Sequence, residues 1–256
     1  MQIISIINQK GGVGKSTTAL AVGEGLAIRG YKVLFVDLDA QGNLTYTLNA
    51  DTRGSLEILQ HPESIKREIQ HLGAVDIVAS TSSLAGADAV ITQTGKEYRL
   101  REALSLVNME YDYCIIDTPP ALGILTVNAL TACNGCIIAA QADVYSLQGI
   151  HQLGMTLDAV RRYCNSTLQV MGILLTRFNG RSIIRRDVAD MLKQTANQFD
   201  TKLYDTKIRE CVSLVEAQAM RRSVYEYAPK SNAVSDYNQF LNEMLKGEQI
   251  CQRKAS

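Results

Sequence analysis

Two lysines, Lys10 and Lys15, bracket the glycine-rich string GGVG, and the hydroxyls of Ser16 and Thr17 follow at once. The whole stretch, NQKGGVGKST, comes directly after the apolar run IISII. Glycines let successive backbone N–H groups turn toward one point, a lysine adds positive charge, and a hydroxyl at a helix start can ligate a divalent cation. These are the means of holding a triphosphate. Gly11, Gly12, Val13 and Gly14 would form the cradle, Lys15 would reach the β- and γ-phosphates, Ser16 would bind Mg²⁺ and Thr17 would reach an α-phosphate oxygen. The usual G-x-x-x-x-G-K-[ST] pattern fails at one place, because Gln9 stands where the first glycine belongs. Lys10 lies outside this cradle and needs another explanation.

Carboxylates come next. In VLFVDLDAQGNLT an apolar run ends in Asp37 and continues to Asp39, and in YDYCIIDTPPALG another ends in Asp117. A carboxylate just past the carboxyl end of a strand beside a phosphate loop sits where ligands bind in open α/β sheets. Asp117 is placed to hold Mg²⁺ directly or through water. The Pro119-Pro120 step and Gly123 suit a loop that senses the γ-phosphate and transmits its loss.

Such residues need a scaffold that delivers strand ends to one edge. Apolar, β-branched runs alternate with helical patterns along the chain, which is the signature of βαβ units on a parallel sheet. Strands are expected at QIISIIN, KVLFVDLD, VDIVAS, YCIIDTP, GCIIAAQ and QVMGILLTRF. Helices are expected at about 16–29, 97–108, 124–132, 146–163, 183–198, 212–218 and 232–246, with 48–74 read as loop and short helix. The fold class is therefore α/β, a mostly parallel twisted sheet with helices on both faces. With 256 residues, 46% of them hydrophobic, residues 1–256 are read as a single domain with one sizeable core.

Several function classes drop out. No apolar stretch approaches the roughly 18 residues of a membrane span, and MQIISIINQK has neither a basic lead nor a cleavage site, so a cytoplasmic protein is expected. Cys133-x-x-Cys136 has no second pair and runs into an expected buried strand, so both are read as small buried hydrophobes rather than metal or redox groups. His61, His71 and His151 are far apart and suit the surface. Net charge is zero, but residues 1–176 carry 12 Lys and Arg against 16 Asp and Glu, and residues 177–256 carry 14 against 10, a split of −4 and +4.

The string KGGVGKST resembles the deviant Walker A motif of the ParA/MinD group of P-loop ATPases. In that group the first lysine is the signature residue and contacts the nucleotide of the partner subunit in a sandwich dimer. The resemblance implies that Lys10 acts in trans, with the charge an arginine finger supplies elsewhere. DLDAQGN resembles the family's switch I, which implies that Asp39 orients or activates the attacking water and Asp37 supports the metal site. Ala40 stands where proline is common. LLTRFNGRS resembles the base-recognition segment, with Asn179 pairing with adenine, and IRECVSLVEAQA resembles the segment that packs on base and ribose, with Gln218 at a usual proline.

ParA-like proteins bind DNA non-specifically through basic residues of the C-terminal region, which implies roles for Arg185, Arg186, Lys207, Arg209, Arg221 and Arg222. The chain begins at its first strand, so the helix-turn-helix of longer ParA proteins is not expected. A MinD-like reading requires a basic amphipathic membrane helix at the C-terminus. Tyr237, Phe240, Leu241, Met244 and Leu245 follow helical spacing but suit core packing, and GEQICQRKAS is too polar to insert. An iron-protein reading needs cysteines that Cys133 and Cys136 do not resemble. What the resemblance implies is an ATP- and Mg²⁺-dependent, homodimerising, DNA-binding ATPase of plasmid, chromosome or integrated-element partitioning. It would be nucleoid-associated when ATP-bound and stimulated by a ParB-like protein. The alternative is a regulatory ATP switch that positions a protein complex without DNA.

Overall fold

β-branched runs buried on both faces fix the middle of the molecule. The structure is a computed structural model and describes residues 1–179 and 183–255; the side chains of residues 144–145, 183–186, 198 and 248–255 lie outside that description. Its strands are β1 (Gln2–Ile7), β2 (Val33–Asp37), β3 (Gln70–His71), β4 (Asp76–Val78), β5 (Tyr113–Asp117), β6 (Gly135–Ala140), β7 (Gln169–Phe178) and β8 (Leu203–Arg209). They form one sheet in the order β3-β4-β2-β5-β1-β6-β7-β8, parallel at every pairing except β3 with β4. The mostly parallel α/β sheet expected from the sequence is thus present.

The helices are α1 (Lys15–Ile28), α2 (Asn43–Thr47), α3 (Ser55–Gln60), α4 (Ile65–Glu68), α5 (Ala87–Val90), α6 (Arg99–Ser105), α7 (Ile124–Ala132), α8 (Val144–Tyr163), α9 (Ile183–Gln198), α10 (Val212–Ala219), α11 (Val224–Tyr227) and α12 (Asn232–Ala255). Period-2 alternation sorts the strand residues between two faces. Ile4, Ile6, Phe35 and Ile115 pack with Leu20 and Leu26 of α1 and with Tyr237, Phe240, Leu241 and Met244 of α12. Val36, Cys114 and Ile116 meet Leu100 and Leu104 of α6 and Ala129 of α7, while Ile138, Ile173 and Leu175 meet Ile150 and Leu153 of α8 and Leu192 of α9. The α12 stripe is core, as its spacing suggested.

The strand β8 was not among those expected. Its sequence LYDTKIR buries only Tyr204 and Ile208, and it occupies the sheet edge with register shifts against β7, so its periodicity is broken. The segment 48–74 contains α3, α4 and the antiparallel edge strand β3. Cys114, Cys133 and Cys136 are buried free thiols; burial pushes Cys133 up to about 12 and the other two upward as well. His61, His71 and His151 are exposed.

Gly23 sets how closely α1 lies on the sheet. A Cβ there would overlap the Phe35 ring, so the helix backbone rests directly on β2. Because β1 leads straight into the loop and α1, this close contact also fixes the loop.

Candidate nucleotide site

The loop between β1 and α1 is held from several sides. Gly14, at φ 86°, caps α1 in the left-handed region, and Gly12 is left-handed too at φ 74°. Only residues without a Cβ adopt these angles readily, and that is what bends the loop into a concavity. The carbonyl of Val13 accepts from the Thr176 hydroxyl at 2.6 Å and that of Gly12 from the Gln141 amide at 3.1 Å. Asn8 accepts from the Lys10 N–H at 3.0 Å and donates to Ala139 at 2.6 Å. Lys15 folds over this arch, donating to the Lys10 carbonyl at 3.2 Å, and is 6% exposed. Burial lowers its pKa, and the charges of Asp117 and Asp39 oppose that shift.

Parallel pairing places Asp37 directly opposite Asp117, at the carboxyl ends of β2 and β5. Both are fully buried. Asp37 is well satisfied: it accepts from the Thr45 hydroxyl at 2.7 Å, the Thr45 N–H at 2.9 Å and the Asp39 N–H at 3.1 Å. Burial pushes its carboxyl up to about 6, these hydrogen bonds restrain the rise, and the Asp39 charge adds to it. Asp117 differs, since neither of its oxygens has a hydrogen-bond partner. Burial, then the neighbouring Asp37, raise its pKa well above the carboxylate range, while Ser16 and Lys15 offset part of this. A buried carboxylate left without donors beside a lysine and a hydroxyl is a fitting place for a cation. The oxygens of Asp37, expected to support the metal site, organise the turn to Asp39 and α2.

Lys10 is also engaged. Its ammonium lies 2.6 Å from Asp143, a half-buried residue whose carboxylate caps α8 by accepting from the Ser146 N–H at 2.9 Å. Burial disfavours the Asp143 charge, but Lys10 and Ser146 outweigh it and hold the carboxyl below its usual range. Sequence reasoning missed Asp143, although the D-x-x-S spacing is a recognisable helix start. A polar cavity beside this pair is lined by Gln141, Asp143, Arg177 and Glu210. Asn179, exposed just after β7, stands at the same carboxyl edge.

On the far side of the loop, Gln218 of α10 donates to the Thr17 hydroxyl at 2.8 Å. The basic residues proposed for DNA are variously placed. Arg209 is ion-paired within the chain: its Nη2 and Nε lie 2.6 and 2.9 Å from Asp236. Arg221 donates to Asn49 at 2.7 Å and lies 4.0 Å over the Tyr46 ring, and Lys207 lies 4.7 Å over Phe178. Arg222 is exposed. The side chains of Arg185 and Arg186 lie outside the described residues, although their backbone belongs to α9.

A parallel sheet whose first strand runs through a glycine-rich, lysine-bearing loop into a buried helix, with carboxylates at the adjacent strand ends, defines a P-loop protein of the deviant Walker A type. Residues 1–170 match a family described as an AAA domain. The chain is 38% identical over 250 residues to the sporulation initiation inhibitor protein Soj of Bacillus subtilis, spanning 95% of this chain and 98% of that one. It is 36% identical to the chromosome partitioning protein ParA of Myxococcus xanthus, spanning 96% and 88%. Among solved structures, cobyrinic acid a,c-diamide synthase of Mycobacterium smegmatis with bound ADP and magnesium superposes with a TM-score of 0.83 at 29% identity, spanning 97% and 96%. The chain belongs to the ParA/Soj family of P-loop ATPases.

Proposed function

We propose that this protein hydrolyses ATP to switch a DNA-bound homodimer on and off during partitioning of a plasmid, chromosome region or integrated element. The observation that carries the reading is Asp117, buried and without donors beside Lys15 and Ser16. Among the described residues no three His, Cys, Asp or Glu side chains gather as a metal cage. Magnesium keeps phosphate and water oxygens and takes few protein ligands. Ser16 and Asp117 would hold it, and when bound it neutralises charge on the phosphate oxygens.

The backbone of Gly11–Gly14 and Lys15 hold the triphosphate, Thr17 reaches the α-phosphate, and Asn179 reads the base. Asp39 orients a water whose oxygen bonds to the γ-phosphorus as the bond to the β–γ bridging oxygen breaks, giving ADP and phosphate. Lys10 leaves Asp143 to act on the nucleotide of the partner subunit, so that turnover depends on the dimer. The dimer doubles the phosphates contacted on DNA, which makes DNA affinity depend steeply on ATP and on salt. A ParB-like protein stimulates hydrolysis and releases the complex, and the ATP-bound form resides on the nucleoid in the cytoplasm. Among the described residues no helix is long and apolar enough to cross a membrane.

The test separates binding from chemistry at Asp39. Asp39→Ala should bind ATP normally and form a dimer that persists on DNA, while its hydrolysis falls about a hundredfold or more. Size-exclusion chromatography and DNA retention in ATP read both properties. A monomeric Asp39→Ala protein with normal ATP affinity would assign the residue to the interface instead.

A further inference from the structure

The turn that ends α10 carries an arginine where backbone geometry favours glycine. Arg221 sits at φ 50°, and its N–H closes the helix on the Gln218 carbonyl at 3.1 Å, with the Arg222 N–H bonding Ala217 at 2.9 Å. A left-handed residue just past a helix end is ordinarily glycine or asparagine, so an arginine here is held against a steric preference. Its side chain reaches the matching turn of another helix. Asn49, two residues past the end of α2, is left-handed as well at φ 55°; its side chain accepts from Arg221 at 2.7 Å, and the guanidinium lies 4.0 Å over Tyr46 of α2.

Each end of this contact is wired to the site. Next to Tyr46, Thr45 gives both its N–H and its hydroxyl to Asp37, and its hydroxyl oxygen accepts from the Ser80 N–H at 2.8 Å. Asp37 in turn accepts from the Asp39 N–H. At the other end, α10 holds Thr17 through Gln218. Thr17 thus connects through α10, Arg221 and α2 to the turn that presents Asp39.

We infer that Arg221 is a positioning residue for hydrolysis, clamping α2 so that the Asp39 turn keeps its place relative to the phosphate loop. This rests on the proposed role of Asp39. The clamp touches neither the phosphate cradle nor the carboxylates, so it acts on turnover and leaves nucleotide binding to Lys15 and its neighbours. An exposed cation–π contact and one charged hydrogen bond set the scale at about a fivefold effect.

The experiment uses Arg221→Gly, since glycine adopts the left-handed turn without strain and keeps α10 closed. ATP turnover at saturating nucleotide should fall about fivefold with KM and melting temperature unchanged. Arg221→Lys should recover part of the loss by keeping a cation over Tyr46. Arg221→Gly combined with Tyr46→Leu should be no slower than the slower single variant, because both remove one contact. Wild-type turnover in Arg221→Gly, or additive losses in the double variant, overturns the clamp. So does unchanged turnover accompanied by weaker DNA binding with a flatter salt dependence, which would make Arg221 a phosphate ligand. Asp39→Ala is run beside them. If it hydrolyses ATP like wild type, the clamp falls together with the reading of Asp39; if it is inactive while Arg221→Gly is normal, the clamp alone falls.

Discussion

The carboxyl ends of β1, β2 and β5 and the region from β8 to α12 treat charge in opposite ways. At the strand ends Lys15, Asp37 and Asp117 are buried together, and Asp117 has no donor for either oxygen. Near the chain's end three cations are paired within the chain: Arg209 with Asp236, Lys202 with Glu243 at 4.0 Å, and Arg177 of β7 with Glu210 at 2.9 Å. Uncompensated buried charge costs free energy that a ligand can recover, and compensated surface charge has little left to offer one. The difference separates buried charge that a ligand can complete from surface cations already paired, and it says that a +4 count is not a measure of available positive charge.

The largest effect is expected at Lys15. Its replacement by alanine removes the in-line cation, so ATP affinity should fall about a hundredfold, while melting without nucleotide should not suffer because a desolvated charge is gone. Lys10→Ala, whose partner is the half-exposed Asp143, should keep ATP affinity within about threefold of wild type and lose hydrolysis. Isothermal titration and turnover assays check both. Equal loss of affinity in the two variants would place Lys10 in its own subunit's cradle.

Glu24 of α1 tests the buried side at a distance from the phosphate loop. Burial raises its carboxyl from 4.5 to about 7, Ser223, which donates to it at 2.7 Å, restrains the rise, and Glu226 adds to it. A raised acid is protonated in the folded state while the unfolded chain has already ionised. Its stabilising contribution is therefore present at low pH and is lost as pH climbs from 4.5 through about 7. Glu24→Gln stays neutral throughout and should remove this slope, leaving the variant more stable than wild type at pH 8 by on the order of 2 kcal/mol. Thermal melts across that range decide it, and parallel curves for the two proteins would mean that Glu24 is solvated.

What the sequence disclosed follows the same division. The phosphate loop was legible because its chemistry is local: Gly12, Gly14, Lys15 and Ser16 are neighbours in the chain, and their order alone implies a strand, a turn and a helix. Asp37 and Asp117 were legible as strand ends, but which of them was left without donors was not, because Thr45 reaches Asp37 only after α2 folds back. Asp143 and Gln218 act on Lys10 and Thr17 across separations of 133 and 201 residues, and no spacing rule reports such pairs. β8 escaped notice because an edge strand with two buried side chains carries almost no alternation. For the basic residues a count is blind to pairing, since it registers Arg209 but not the Asp236 beside it.

The smallest effect is expected at Arg209. Its Nε and Nη2 both engage Asp236, which is buried to 6% exposure and also accepts from the Arg209 N–H at 2.9 Å. To meet a DNA phosphate the guanidinium would have to leave a carboxylate that has no other cation among the described pairs. Arg209→Ala should therefore change DNA affinity by less than about twofold and leave the slope of log affinity against log salt unaltered, at a stability cost of about 1 kcal/mol. Arg222→Ala, on an exposed side chain, should reduce that slope by about 0.9, the value for one phosphate contact. Asp236→Ala supplies the converse, since it frees the Arg209 charge and should tighten DNA binding even as it destabilises the end of β8. Filter binding over a salt series reads all three. If Arg209→Ala flattens the slope as much as Arg222→Ala does, internal pairing does not withdraw a charge from DNA, and the count of arginines was the better guide to this surface.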